Sequence, residues 1–457
     1  MNHRLFNILL KEYSLTIEDY NFLNSNLSIE DVIKLEKYKD KFEIFKNEIL
    51  KIKDKRILVF GDFDADGIIS TTIMYSLLKE IGVNVSFKIP IKSSHGYGIK
   101  KEDITPEFDA YICVDNGVKA IEAIEEIKKQ GKVILILDHH AYETLPIEEN
   151  KVLHPVLLRD KTPFSAGYLT YLFYAYFNKK HDHYFFALGA TSLISDVIDI
   201  NNSNRFVLRF LDNLLNKEYF RNIALFERYQ SVKCLEQISN DFVTYLNAIT
   251  RMDVKDQNIF NQLIFYLSDR NKFDLDFSIV NILKDLNNLK KEEVKTIYDF
   301  IPKTESKYVI TKLEAKEGLT GLIANKILTT DKKELVAVFS KIENSCLKGS
   351  IRTLNEMNLL SILKEDFIID GGGHEKAVGL TIKEENFDRC KTFLENLKPT
   401  TSRKISLEDE INFNELDADY FKTYYTFTPI VNNIAFLKIK IKNFPKKLLT
   451  FSKDLKH

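Results

Sequence analysis

The sequence predicts an α/β protein in which a helical connector joins two α/β domains. Apolar runs rich in Ile and Val alternate with helix-like segments in the first third of the chain, a pattern typical of a parallel sheet covered on both faces. The chain from about 168 to 300 reads mainly as helix, and the strand–helix alternation returns after Lys307. The expected segments are 1–54 (N-terminal helices), 55–215 (first α/β domain), 216–304 (connector), 305–398 (second, smaller α/β domain) and 399–457 (C-terminal β segment).

Each predicted element has its own signal. The first sheet is expected from the runs "RILVF", "VNVSFKI", "DAYICV" and "KVILIL", which alternate with helices such as "IISTTIMYSLLKEIG" and "AIEAIEEIKKQG". "FSIVNILKDLNNLKKEEVKTIYDFI" predicts a long connecting helix, and "YVITKLEA" and "ELVAVFS" predict strands of the second domain. Near the C-terminus, "FLKIKIKNF" alternates strictly, which predicts a half-exposed strand with Lys438, Lys440 and Lys442 on one face. These lysines would either bind an anion or guard an edge strand.

Composition and charge exclude several classes of protein. The 457 residues suffice for two to four domains, and 44% hydrophobic and 29% charged residues are ordinary for a globular chain. A net charge of −1 excludes a globally basic nucleic-acid binder, so an anionic partner must meet a local basic patch. The four cysteines include no CxxC pair, so we expect a reducing compartment and neither a disulfide framework nor a zinc site.

The sequence also predicts a cytoplasmic protein without membrane association. Its N-terminus carries charged residues too early and too often for a secretory signal. The longest aromatic–apolar run, which starts at Tyr168, spans ten residues and is too short to cross a bilayer.

Acidic and imidazole side chains follow three strands of the predicted first sheet. They are Asp62, Asp64 and Asp66 after "RILVF", Asp115 after "AYICV", and Asp138, His139 and His140 after "KVILIL". Because the carboxyl ends of parallel strands meet at one edge of a sheet, we expect these groups to lie close together. Asp196, in the apolar segment "ALGATSLISDVIDI", is a fourth contributor, since an ionised carboxylate there needs a partner or a cation.

This chemistry favours a metal site over unrelated loop residues. A single Asp after a strand is usually a helix N-cap, and a lone "DHH" is commonly a surface loop. Acidic or imidazole side chains at the ends of three separate strands are hard to explain as helix N-caps. Carboxylates with a histidine suit Mn²⁺ or Mg²⁺ better than structural zinc. A shared Asp can hold two ions roughly 3.5–4 Å apart, which activates water and stabilises phosphoryl oxygens.

The motifs resemble those of a known family. "GDFDADG" (61–67), "VDNG" (114–117), "DHH" (138–140) and "ALGATSLISDV" (187–197) resemble the four ordered motifs of the DHH phosphoesterase superfamily. Together with "HGYGI" and "HPVLLRD…SAG", the residues of these motifs are most similar to those of the RecJ-like single-strand-specific exonucleases of that superfamily. The resemblance extends through a DHH-associated domain, where "EGLTGLIANKI", "GSIR" and "GGGHEKAVGL" are similar to substrate-handling motifs.

The resemblance implies an active site with two Mn²⁺ or Mg²⁺ ions. The implied metal ligands are Asp62, Asp64, Asp66, Asp115, His139 and Asp196. Asp115 would bridge both ions, His140 would face the substrate phosphate, and Asp138 would orient a ligand histidine. Several superfamily members carry a histidine where this chain has Phe60, so Asp62 or water is expected to replace it.

The resemblance also implies substrate-binding residues, which are Lys92, His95, Tyr97, His140, Arg352, Gly371, Gly372, Gly373 and His374. Three consecutive glycines let a backbone approach an anion, an arginine makes bidentate phosphate contacts, and a tyrosine can stack on a base. Taken alone, "GGGH" would be a tight turn and Arg352 a surface ion pair. With a metal centre upstream, a phosphate clamp explains both better.

The implied activity is that of a single-stranded-DNA-specific 5′–3′ exonuclease acting in DNA repair and recombination, with a partial OB-like C-terminal segment. We expect a monomer whose substrate is single-stranded DNA and whose candidate partners are a single-strand-binding protein or a repair helicase. Two alternatives stay open. A DHH enzyme for short oligoribonucleotides or cyclic dinucleotides would share the whole metal site, whereas a non-catalytic DNA-binding replication factor on the same fold would have broken metal motifs.

Overall fold

The structure is a computed structural model. It describes residues 3–196, 198, 200–214, 235, 239–269, 278–355, 357–374, 376–398, 408–415, 417–420, 423 and 438–443. Part of the predicted connector and most of the predicted C-terminal segment lie outside these residues.

A parallel five-stranded sheet organises the first domain, with strand order β2-β1-β3-β4-β5. The strands are β1 (Ile57–Phe60), β2 (Val85–Lys88), β3 (Ala110–Val114), β4 (Val133–Leu137) and β5 (Val152–Leu153). Every residue of β1 and β3 is buried, because both faces of the sheet are covered. Ile57 and Val59 face the larger core, whereas Leu58 and Phe60 face a smaller core on the other side. This arrangement explains why these strands read as continuous apolar runs.

Helices surround this sheet. They are α1 (His3–Glu12), α2 (Ile17–Leu23), α3 (Ile29–Val32), α4 (Lys39–Lys51), α5 (Ala65–Glu80), α6 (Lys92–His95), α7 (Ile121–Lys129), α8 (Ala166–Asn178), α9 (His183–Ser195) and α10 (Asn202–Leu214). The central helices begin at side-chain N-caps: Asp64 caps α5, Ser165 caps α8 and Asp182 caps α9. α5, α8 and α9 pack against one another on one face of the sheet, and α7 supplies the smaller core on the other.

A second helical group leads to the second domain. It contains α11 (Thr244–Arg251), α12 (Gln257–Ser268) and α13 (Ser278–Phe300). Ile279 and Leu283, in the first half of α13, belong to the core of the first domain. Val294 and Tyr298, in its second half, belong to a core of the second domain. The predicted long connecting helix therefore joins the two hydrophobic cores directly.

The second domain contains a mixed five-stranded sheet of order β6-β7-β8-β10-β9, in which only β6 and β7 pair in parallel. Its elements are β6 (Tyr308–Leu313), α14 (Thr320–Thr330), β7 (Leu335–Ile342), β8 (Cys346–Thr353), β9 (Ile368–His374), β10 (Ala377–Lys383) and α15 (Phe387–Asn396). The predicted fold class, a parallel-sheet domain joined by helices to a smaller α/β domain, is confirmed.

Near the C-terminus, β11 (Glu408–Asn412) pairs in parallel with β12 (Lys438–Lys442), where a strand was predicted. Lys440 and Lys442 both form ion pairs with Glu410 on the neighbouring strand. At least these two lysines therefore have a carboxylate partner within the protein. The remainder of the predicted OB-like segment lies outside the described residues.

Within the part of the chain that the structure describes, no helix combines the length and the apolar character needed to span a membrane. The aromatic run that starts at Tyr168 belongs to α8, whose first ten residues are buried between neighbouring elements of the first domain.

Gly67 generates a prediction about the stability of this fold. A Cβ at this position would lie 2.4 Å from the backbone oxygen of Asp62, which cannot move aside without shifting the loop after β1. We expect Gly67→Ala to lower the free energy of unfolding by about 1–3 kcal/mol, as overpacking typically does. Thermal denaturation checks this, with Gly372→Ala as the control because a Cβ there meets no atom within 4 Å. Equal melting temperatures for Gly67→Ala and the wild type would contradict the packing argument.

Candidate metal centre

The loops that follow β1, β3 and β4 converge at the carboxyl edge of the first sheet, as the sequence predicts. Three overlapping groups of side chains lie there. Every side chain of a group offers one potential ligand atom, and the atoms of the same group lie within 4.8 Å of one another. The groups are Asp62 with Asp64 and Asp115, Asp66 with His139 and Asp196, and Asp115 with His139 and His140. Asp115 belongs to two of them, so its position fits the bridging role expected for it.

His139 lies at the centre of the second group. Its Nε2 is 3.3 Å from Oδ1 of Asp115, 3.4 Å from Oδ2 of Asp196 and 3.7 Å from Oδ2 of Asp66. One further observation indicates a cation here. Oδ1 of Asp62, Oδ1 of Asp115 and Nε2 of His139 are buried and have no hydrogen-bond partner among the described residues. Buried polar atoms are normally paired, so these donor atoms fit divalent cations bound between them.

The pKa values of the cluster also fit divalent cations bound between these side chains. Burial, followed by the charge of Asp64, raises the pKa of Asp66 to about 7. Burial and the charges of Asp66 and Asp64 raise the pKa of Asp196 to about 9 and that of Asp115 well above its ordinary value. Burial also lowers the pKa of His139 to about 4, which keeps the imidazole neutral and able to coordinate a metal. A divalent cation would remove the repulsion that produces the carboxyl shifts.

Asp66 is held in place by the first turn of α8. The backbone N–H groups of Ala166 and Gly167 donate hydrogen bonds of 2.8 and 2.7 Å to its two carboxylate oxygens. A Cβ on Gly167 would lie 2.9 Å from Oδ1 of Asp66 and 2.7 Å from Oγ of Ser192, so only glycine fits. The "SAG" motif (165–167) therefore positions a candidate ligand. The sequence analysis singled this motif out without assigning it a role.

Two residues of α11 also support the loop after β1. Oδ1 of Asn247 accepts a 2.9 Å hydrogen bond from the backbone N–H of Ala65, and Oγ1 of Thr250 donates a 2.6 Å bond to the carbonyl oxygen of Phe63. These contacts link residues more than 180 positions apart in the chain. Sequence reasoning missed them because "NAITR" carries no motif signal.

Asp138, which is expected to orient a ligand histidine, supports His140, a member of the third group of potential ligand residues. Its Oδ1 lies 2.8 Å from Nδ1 of His140 and also accepts the backbone N–H of His139 at 2.7 Å. Burial lowers the pKa of His140, but the hydrogen bond and charge of Asp138 outweigh burial and raise it overall. Oη of Tyr97 lies 3.0 Å from the same nitrogen, so Tyr97 and Asp138 together fix the ring of His140 beside Asp115.

His95 lies apart from the metal ligands. Its Nε2 is 2.8 Å from Oδ2 of Asp103, and Lys88 binds the other oxygen of that carboxylate at 2.7 Å. These contacts hold the loop that carries Tyr97. The structure thus gives His95 a supporting position for the loop that carries Tyr97.

A basic cluster lies between the two domains beside the metal ligands. It consists of Lys92, Arg251, Lys348 and Arg352, all half-buried. Burial lowers the pKa of Lys92 and of Arg251, while the nearby charges of Asp62 and Asp64 act in the opposite direction. Burial and, to a smaller extent, the charge of Arg251 lower the pKa of Arg352. Four cations that repel one another at the edge of an acidic centre form a candidate phosphate site. Arg251 was missed, since no motif marks it.

Arg251 also connects the domains. Its Nη1 donates a 3.2 Å hydrogen bond to the carbonyl oxygen of Gly318, and a Cβ on Gly318 would lie 2.7 Å from Cα of Arg251. Arg352 donates through Nη1 to the carbonyl oxygen of Ile351 at 2.8 Å. The hydrogen bonds of the Arg352 guanidinium to described residues thus go to backbone oxygens, in place of the surface ion pair considered as the alternative.

The triple glycine belongs to a strand, and the tight-turn interpretation is wrong. Gly371, Gly372 and Gly373 lie in β9, an edge strand, and all three are exposed. A Cβ on Gly371 would lie 2.6 Å from Leu363, and one on Gly373, whose φ is +144°, would lie 2.2 Å from a backbone oxygen of β10. These two glycines are required for packing, whereas Gly372 is free of such contacts. The side chain of His374 is outside the described part of the structure.

Comparison with known proteins finds a family model that matches each of the two domains. The DHH family N-terminal domain matches residues 56–194, and the DHHA1 domain matches residues 305–398. The single-stranded-DNA-specific exonuclease RecJ of Bacillus subtilis is 23% identical over 394 residues, which cover 80% of this chain and 48% of the relative. The RecJ of Haemophilus influenzae is 26% identical over 372 residues, 73% of this chain and 64% of the relative. The chain therefore spans about half to two thirds of the length of these relatives.

Solved structures agree on the fold. The crystal structure of RecJ in complex with Mn²⁺ from Thermus thermophilus superposes with a TM-score of 0.76 at 19% identity, covering 94% of this chain and 65% of that one. A second crystal structure, of exonuclease RecJ bound to manganese, gives a TM-score of 0.62 at 22% identity, covering 80% of this chain and 94% of that one.

The raised pKa values of the cluster predict a pH-dependent stability of the metal-free protein. Carboxyls with a raised native pKa stabilise the fold fully below their unfolded pKa and lose that contribution as pH rises through the native value. For Asp66 and Asp196 this loss extends to about pH 7 and about pH 9, respectively. The lowered pKa of His139 has the opposite effect on the stability of the fold, but only up to about pH 6.5. We therefore expect the melting temperature in EDTA to fall between about pH 6.5 and 9.

Addition of Mn²⁺ should raise the melting temperature, and more at pH 8.5 than at pH 6.5, because the cation then compensates a larger repulsion. Differential scanning fluorimetry across this range, with and without Mn²⁺, measures both effects. A Mn²⁺ shift of equal size at the two pH values in the wild-type protein would show that the cluster does not bind the ion.

Proposed function

From the premise that this chain is a RecJ-like member of the DHH superfamily, we propose that it is a divalent-metal-dependent exonuclease that hydrolyses single-stranded DNA. The observation that carries the proposal is the convergence of seven residues with potential ligand atoms, three of which have a buried ligand atom without a hydrogen-bond partner among the described residues. The relatives named single-stranded-DNA-specific exonuclease support the substrate class. The 5′–3′ polarity rests on the family resemblance alone.

The residues proposed to hold two Mn²⁺ or Mg²⁺ ions fall into two sets that share Asp115. Asp62 and Asp64 complete one set, and Asp66, His139 and Asp196 complete the other. Phe60 is fully buried in the core, so no imidazole joins the first set from that position and Asp62 takes its place. Divalent ions bound there supply Lewis acidity at the scissile phosphate and activate water for in-line attack.

The protein's own residues orient and neutralise the phosphate. His140, which Asp138 favours in its cationic form, faces the centre and can donate a hydrogen bond to a phosphoryl oxygen. Tyr97 fixes that ring through its hydroxyl group. Because neither contact has to form during the reaction, His140 is preorganised for the charge that develops on the phosphate.

The basic cluster is the proposed binding site for a second phosphate of the strand. Its members, Lys92, Arg251, Lys348 and Arg352, are half-buried, and burial lowers the pKa of Lys92 and of Arg352. A phosphate there would meet several donors at low local dielectric, where such contacts are strong. The backbone of Gly372 and the side chain of His374 are proposed to close over the strand from β9.

Catalysis is favoured over a binding-only role because the complete ligand set is present and assembled. Processing of longer strands is favoured over short oligonucleotides by the resemblance to the exonuclease relatives. A monomeric state, a cytoplasmic location, a role in DNA repair and recombination, and a single-strand-binding protein or a repair helicase as partner stay predictions.

Asp115→Ala tests the metal centre. Because Asp115 is shared by both ligand sets, we expect loss of two-ion binding and a fall in Mn²⁺-dependent hydrolysis of a labelled single strand by at least about 10³-fold. Circular dichroism should show an unchanged fold. Asp54→Ala, which removes an exposed carboxyl outside the site, is the matched control.

Substrates of different length separate the proposal from its alternatives. The wild type should degrade a 5′-labelled single strand of about 30 nucleotides and leave the matching duplex intact. Turnover of dinucleotides alone would assign the chain to the short-oligonucleotide enzymes. Hydrolysis of single strands by Asp115→Ala at the wild-type rate would overturn the proposed centre.

Arg352→Lys tests the basic cluster. Lysine keeps the charge but loses the bidentate geometry, so we expect KM for a single strand to rise on the order of tenfold, since a hydrogen bond to a charged group contributes about 1.5–3 kcal/mol. The turnover number at saturating strand should change little. Arg389→Lys, at an exposed ion pair with Asp366 in the same domain, is the control. An unchanged KM for Arg352→Lys would remove this residue from the phosphate site.

A further inference from the structure

A pocket opens on the side of the metal centre where Lys119 acts on His140, whereas Lys92 and Arg251 of the basic cluster lie near Asp62 and Asp64. Its volume is about 630 Å³, within the range of about 300–1,000 Å³ typical of small-molecule sites. One wall is formed by Tyr97 and the residues that follow it, the other by the segment from Gly117 to the first turn of α7. No residue of this pocket except Tyr97 belongs to the site described above.

The pocket is directly continuous with the candidate active site. Oη of Tyr97 donates a hydrogen bond to the carbonyl oxygen of Asp115 at 3.1 Å and lies 3.0 Å from His140. Lys119, on the opposite wall, is close enough to His140 to lower the pKa of its ring by charge repulsion. Residues of both walls of the pocket therefore lie near His140.

The shape of the pocket depends on one glycine. Gly117 has a φ of +117°, and a Cβ there would lie 3.0 Å from Cβ of Cys113 and 3.1 Å from Ile136. The backbone thus lies flat against the end of the sheet, which leaves room between it and Tyr97. Any larger residue would meet the sheet and displace this wall.

The chemistry of the lining suits a nucleotide. Lys100, Lys101 and Lys119 line the pocket together with Glu102 and Glu122, so cations exceed anions by one. Lys101 and Lys119 are exposed. Tyr97 is 40% exposed while its hydroxyl is held, and Ile121 is 59% exposed, so both offer apolar surface to a base. Lysines for a phosphate beside a fixed aromatic ring are the elements of single-strand binding.

The two sides of the metal centre differ in how enclosed they are. The basic cluster lies between the domains and its cations are half-buried, whereas the lysines of the pocket face solvent. A strand that is shortened from one end needs an enclosed site for that end and an open exit for the remainder. The geometry points to the open side as this exit.

We propose that this pocket binds the nucleotide that follows the scissile phosphate on the retained strand, with Lys101 and Lys119 contacting the next backbone phosphate. The proposal rests on the proposed function and adds to it the direction in which the strand crosses the centre. The path runs from the basic cluster, past Asp115 and His140, to the lysines of the pocket.

The test is a double-mutant cycle between protein and substrate. The protein variant is Lys101→Ala with Lys119→Ala, and its matched control is Lys128→Ala with Lys129→Ala at the exposed far end of α7. The substrate variant is a single strand with one neutral methylphosphonate at the first linkage beyond the scissile one. A strand with the methylphosphonate seven linkages further along is its control.

With Mn²⁺, we expect the near methylphosphonate to raise KM of the wild type on the order of tenfold and that of the pocket variant less than twofold, the coupling expected for groups in contact. The slope of log KM against log salt concentration should also become shallower by about 0.7 in the pocket variant, since one backbone phosphate is no longer neutralised. The control protein and the control strand should show neither change.

Equal methylphosphonate effects in the wild type and the pocket variant, or an unchanged salt slope, would overturn the assignment of the pocket while the exonuclease function stands. A wild type that does not hydrolyse the unmodified strand with Mn²⁺ would instead overturn the proposed function, and this inference with it. The two failures are therefore distinguished by the first measurement of the series.

Discussion

The repulsion among buried carboxylates at one sheet edge is the constraint on which the rest of this structure depends. Asp62, Asp66 and Asp115 are almost fully buried within a few ångströms of one another, and the pKa of each is raised by burial and by a neighbouring carboxylate. Such a cluster is costly in the absence of a cation. The fold accepts this cost at the place where three parallel strands end, because that edge is where separate loops can be brought together.

Most of the surrounding structure holds the carboxylates in position. The first turn of α8 binds Asp66 through two backbone N–H groups, and α11 binds the loop after β1 through Asn247 and Thr250. Arg251, on the same helix, also contacts the second domain at Gly318. The helical segment between the domains is therefore part of the candidate site. It connects the loop after β1, which carries candidate metal ligands, to the surface of the second domain that would bind substrate.

Charge is arranged asymmetrically around the centre. A half-buried group of cations lies on one side, between the domains, and an open pocket with exposed lysines lies on the other. This local arrangement reconciles a net charge of −1 with the proposed anionic substrate, because the basic side chains that would bind it are those next to the acidic centre. The net charge of the whole chain does not reveal this local arrangement of basic side chains.

The fold class and the candidate ligand residues could be predicted from the amino-acid sequence, because apolar runs report burial of strands and parallel strands must present their carboxyl ends at one edge. The sequence could not show that Asp138 supports His140, that the triple glycine is a strand, or that Arg251 and Asn247 belong to the site. The contacts of Asn247 and Arg251 join residues distant in the chain, and none of the three features follows a local periodicity. Only the tertiary structure decides them, since side-chain partners are set by packing between elements and not by the pattern within one element.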